Sequence, residues 1–94
     1  MTDAEESERD AIAWLSEVGK TLYGRRWQTS LAAQTGISRE TIRRWILGQS
    51  PLRSDNEIFD RALEILRQRA ATVTKTADEL ERWMKKRSAA RLDS

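Results

Sequence analysis

Cysteine and histidine are both missing from the 94 residues. Their absence removes disulfides, thiol nucleophiles, the usual zinc ligands and the commonest general base together. A hydrolase or a zinc finger is therefore not expected, and no cofactor or metal is implied. No apolar run approaches the roughly 20 residues that a membrane-spanning helix needs. The acidic start Asp3-Ala4-Glu5-Glu6 is opposite in sign to the basic opening of a signal peptide, so the expected location is cytoplasmic, with no membrane partner. Proline occurs once, at Pro51, and glycine four times. With so few helix breakers, 38% hydrophobic and 34% charged residues, ordered helices are expected in place of disorder. The length suits one small domain with little core to spare.

The net charge of +2 conceals an asymmetry. Residues 1–10 carry five acids against one base, Arg9. Residues 20–53 carry Lys20, Arg25, Arg26, Arg39, Arg43, Arg44 and Arg53 against a single acid, Glu40. The middle of the chain is thus the part suited to a polyanion.

Hydrophobic spacing predicts an all-α fold, a small domain of four to five helices with a long C-terminal helix. After an acidic tail over 1–6, Ala11, Ile12, Leu15, Val18 and Leu22 recur at three- and four-residue steps, which predicts a supporting helix from about Ser7 to Tyr23 ending at Gly24. Trp14, beside that stripe, is expected to pack. A short helix follows from Trp27 to Thr35, with Leu31, Ala32 and Thr35 on one face, and stops at Gly36. Ser38 is a good N-cap for a third helix reaching about Leu47. Ser54 and Glu57 have the spacing of a capping box for the last helix. Beyond them Phe59, Leu63, Leu66, Ala70, Val73, Ala77, Leu80 and Met84 alternate four- and three-residue steps, the seam of a coiled coil. Ile58, Ala62 and Ile65 form a second row. The β-branched run Thr72-Val73-Thr74-Lys75-Thr76 lowers helix propensity. Two outcomes are open there, a continuous helix or a break near Thr74, and the unbroken seam favours continuity. The resulting division is a domain over 7–53, a dimerisation region over 54–87 and a frayed tail over 88–94.

Two helices joined by a tight glycine-containing turn, with basic residues on the second, have the form of a helix-turn-helix. The motif spans 27–47. Counting Gln28 as its first position puts Ala32 fifth, where the helices touch, and Gly36 ninth, in the turn. Ile37, Ile42 and Trp45 fall where the second helix packs on the first. The stretch Trp27-Gln28-Thr29-Ser30-Leu31-Ala32, followed by Gly36-Ile37-Ser38, resembles the phage-repressor and Cro-like (XRE-type) helix-turn-helix family, with Trp27 where that family usually has threonine. About 25 residues carry the resemblance. It implies a bacterial or phage-type, sequence-specific, double-stranded DNA-binding regulator, a repressor, that reads the major groove with helix 38–47. It also implies that Gln28 and Thr29 bond the phosphate backbone.

On a helical wheel Ile42, Trp45 and Ile46 share one side and Glu40, Arg43, Arg44 and Leu47 the other. Arg39 and Arg43 are candidates for bidentate bonds to guanine, Arg44 for a phosphate contact, and Ser38 and Thr41 for further phosphate contacts. Glu40 can accept from a cytosine amino group or pair with Arg43 or Arg44 on its own helix.

One recognition helix reads only a few base pairs, so a homodimer on a palindromic operator is expected. Ala70, Val73, Ala77, Leu80, Trp83 and Met84 are the candidate dimerisation residues, the alternative being a last helix folded back on its own domain. The acids Asp78, Glu79 and Glu81 sit among Arg82, Lys85 and Lys86 and read as solvated ion pairs, not a metal or catalytic cluster. No small-molecule substrate is evident. Two other functions stay open: a protein-interaction module such as an antitoxin or assembly adaptor, and a phage DNA-processing accessory factor.

Overall fold

Helix α1 spans Asp3–Tyr23, a 3-10 turn Gly24–Arg26 leads into α2 at Trp27–Thr35, α3 covers Arg39–Ile46 and α4 covers Glu57–Asp93. A computed structural model describes the backbone of residues 3–93 and the side chains of residues 8–90. The fold is all-α with a long C-terminal helix. The chain divides into two compact units, one ending at Glu64 and the other beginning at Ile65.

In the first unit α1, α2 and α3 enclose the core. Leu15 from α1, Leu31 from α2 and Ile42 from α3 are fully buried, with Trp27 and Trp45 closing the sides. Leu52, beyond Pro51, is equally buried and anchors the connection between α3 and α4. Ile58 and Ala62 in the first turns of α4 complete the core, so the unit extends past Arg53, where the sequence boundary lies. Each large apolar side chain buried this way contributes about 1.5–3 kcal/mol. With so few of them, every one matters.

Trp27 sits on Gly19. A β-carbon on Gly19 would lie 2.1 Å from Cε3 of the indole, so the missing side chain in the middle of α1 is the notch that admits the ring.

Several expectations are corrected. Asp3–Glu6 belong to α1 and not to a separate tail, and Met1 and Thr2 of that tail lie outside the described residues. Trp14 is 64% exposed: it lies one residue, about 100° of helix, from buried Leu15 and turns off the core face. The cap of α4 is Asn56, whose Oδ1 accepts from the Ile58 amide at 2.9 Å. Ser54 lies in the preceding turn, closed by the Asn56 amide donating to the Arg53 carbonyl at 3.0 Å, and Glu57 pairs with Arg61 instead of capping. Helix α4 continues to Asp93, so residues 88–93 of the expected tail are helical. Ala89 and Ala90 have high helix propensity. Ser94, also placed in that tail, lies outside the described residues. Through Thr72–Thr76 the helix is unbroken.

Candidate nucleic-acid interface

The turn between α2 and α3 is built from few atoms. Gly36 has φ 76°, a left-handed conformation that side chains resist, and its amide donates to the Ala32 carbonyl at 3.0 Å to close α2. The buried Thr35 hydroxyl donates to the Leu31 carbonyl at 2.7 Å and accepts from the Ile37 amide at 3.3 Å, bridging helix and turn. The Arg61 guanidinium donates to the Thr35 carbonyl, one of the acceptors that a helix end leaves without a helical partner. Arg61 also pairs with Glu57 at 3.2 Å, so α4 holds the turn from outside the motif.

Ser38 then starts α3. Its φ of −64° and ψ of 145° are extended, and its Oγ accepts from the Thr41 amide at 3.1 Å. The Ser38 and Thr41 hydroxyls lie 2.8 Å apart. Whichever donates, the other retains a hydroxyl hydrogen for an incoming acceptor.

Helix α3 has two faces. Ile42 and Trp45 are buried and Ile46 is half-buried, while Arg39, Glu40, Arg43, Arg44 and Leu47 are exposed. Glu40 lies 3.4 Å from Arg44 and 3.8 Å from Arg43, so the intrahelical pairing foreseen for it is present in the free chain. Exposed pairs of this kind are worth about 0–1 kcal/mol. An anion approaching the face can therefore replace Glu40 at little cost.

At the start of α2 Gln28 is half-buried and Thr29 exposed, and the N-cap, Arg26, makes no side-chain hydrogen bond to the helix. Trp27, the first residue of α2, is buried in the core. Arg25 and Arg26, exposed in the 3-10 turn, add positive charge beside the start of α2.

All eight residues singled out for DNA therefore lie in the first unit, on α2, on α3 or at its cap. No known family, curated protein or solved structure matches this chain. The six residues expected at a dimer interface, Ala70, Val73, Ala77, Leu80, Trp83 and Met84, belong to the second unit, each exposed on α4. Two residues near the site were given no role in the sequence reading. Leu47, 54% exposed at the end of the outward face, is apolar and able to meet a thymine methyl; its wheel position was the available signal. Arg61, 26 residues from Thr35, gives no local signal at all. Among the described residues no cluster of acidic side chains is arranged to hold a metal ion, and no helix is long and apolar enough to cross a membrane.

Proposed function

We propose that this chain is a sequence-specific double-stranded DNA-binding regulator of the phage-repressor type, a repressor that acts as a homodimer on a palindromic operator. The observation that carries the reading is the division of α3. Its buried side is fixed by Ile42 and Trp45, and its outer side presents Arg39, Glu40, Arg43, Arg44 and Leu47 beyond a turn closed by Gly36. A helix so held offers guanidinium groups to base edges and phosphates, with Arg39 and Arg43 on guanine and Arg44 on the backbone. Gln28, Thr29 and the amino-terminal end of α2 suit a phosphate on the flank.

The deciding experiment is fluorescence anisotropy over a salt series, with the DNA upstream of the protein's own gene and a scrambled duplex of equal length. Preference for the upstream duplex by about 10³ or more, with affinity falling steeply as salt rises, is the expected result. Equal binding to both points to another operator or to a DNA-processing role. Binding to neither favours the second reading, a protein-interaction module, which the exposed Val73, Leu80, Trp83 and Met84 support.

Within that assay Arg43→Ala is expected to relax base preference, losing about 1–3 kcal/mol of discrimination at one position. Arg44→Ala should weaken all duplexes alike and flatten the salt dependence. Uniform loss in both variants would remove Arg43 from base reading.

A further inference from the structure

The exposed face of α4 specifies how two copies meet. It rests on the reading of that face as the homodimer surface, and adds orientation and register. In heptad terms the seam places Ala70, Ala77 and Met84 at a positions and Leu66, Val73 and Leu80 at d positions, all on the helix beyond Glu64. Val73, Leu80 and Met84 are each more than half exposed in the single chain.

A parallel, in-register pair sets like against like. Ala70 would face Ala70 and Ala77 would face Ala77, leaving two undersized layers. It also sets Arg87, the next d position, against its own copy. An antiparallel pair layers a against d, and the residue sizes then interlock: Leu66 with Met84, Ala70 with Leu80 and Val73 with Ala77, each contact repeated by symmetry. Large meets small in the central layers, as close packing requires.

The flanking residues select the same arrangement. In the antiparallel register, Arg67 of one copy lies beside Glu81 of the other, twice by the two-fold axis, and Arg69 lies beside Trp83. Glu81 is held by Lys85 at 2.9 Å through Oε1, which leaves its second oxygen for an arginine. Arg87 lies 5.5 Å from the centre of the Trp83 ring, so the indole already serves as a surface for a guanidinium. Next to the axis Thr74 and Thr76 face their own copies. A charge there would oppose itself across the axis, whereas a hydroxyl can bond to its twin. Thus the β-branched run that weakens the isolated helix occupies the positions where a symmetric antiparallel pair excludes lysine or glutamate.

We infer that two copies of this chain pair their α4 helices antiparallel about a two-fold axis near Lys75, with Ala70 packed on Leu80 and Val73 on Ala77 of the partner. The full-length chain, which has no cysteine, allows a direct test. Nitroxides are placed singly at Lys75→Cys and Lys86→Cys, both outside the seam, and the spin–spin distance in each homodimer is measured by pulsed dipolar spectroscopy beside sedimentation velocity. At 1.5 Å rise per residue the backbones at position 86 should be roughly 33 Å apart and those at position 75 within about 15 Å. A dimer with a short distance at both positions is parallel and overturns the orientation. A dimer with a long distance at position 75 pairs through another surface and overturns the proposal. A monomer at the labelling concentration overturns it together with the homodimer reading, while leaving DNA recognition by α3 to its own assay.

Discussion

Gly19→Ala is expected to lower the melting temperature by about 5–15 °C, from a net loss of about 1–2 kcal/mol in a domain of this size. The substitution usually helps a helix interior, by about 0.5–1 kcal/mol, because glycine loses more freedom on folding than alanine. Here the added carbon would meet Cε3, Cδ2 and Cγ of Trp27 at 2.1, 2.4 and 2.8 Å. Those atoms belong to a stiff ring that is 5% exposed, and neither the ring nor the helix backbone can yield without opening the core. Overpacking of that kind costs about 1–3 kcal/mol, more than the helix propensity returns. Thermal melting followed by near-ultraviolet dichroism of the tryptophans decides the matter. An unchanged or raised melting temperature would mean that Trp27 does not lie on Gly19 in solution.

Ile42→Ala should have a similar or larger effect, about 2–5 kcal/mol, since the side chain is fully buried where α3 meets the rest of the core. Against a total stability of about 5–15 kcal/mol for typical domains, a loss at the upper end of that range leaves a domain of low stability partly unfolded. DNA binding should vanish with the fold, for every duplex alike. Arg43→Ala, one position along the same helix, should change stability by no more than about 0.5 kcal/mol. Chemical denaturation of the two variants side by side therefore separates the face that holds α3 from the face proposed to read DNA. If Ile42→Ala melts like the unsubstituted chain, the buried side of α3 has been misassigned.

The parts of this fold that are local were legible in the sequence. Three- and four-residue spacing placed Leu15 and Leu31 inward, the motif position and the helical wheel did the same for Ile42, Gly36 and Ser38 marked the end of one helix and the cap of the next, and the uninterrupted seam carried α4 through its threonines. The errors arose where two local signals competed or where no local signal exists. Ser54 and Asn56 are both competent caps, and the turn closed on Arg53 gave the role to Asn56. Trp14 borders the apolar stripe of α1, and 100° of rotation was enough to turn it outward. The contact of Trp27 with Gly19 and that of Arg61 with the Thr35 carbonyl join separate elements, which periodicity does not report.

The bond from Arg61 to the Thr35 carbonyl also bears on how the domain breathes. Its guanidinium ties the end of α2 to a side chain that is paired with Glu57 at the start of α4. Opening the turn must release α4's first residues, and lifting those residues must uncover a carbonyl at the turn. Amide hydrogens at Ile37 and at Ile58 should therefore exchange with solvent deuterium at matched free energies of opening, as members of one cooperative unit. Arg61→Ala should separate the two, with Ile37 exchanging earlier than Ile58.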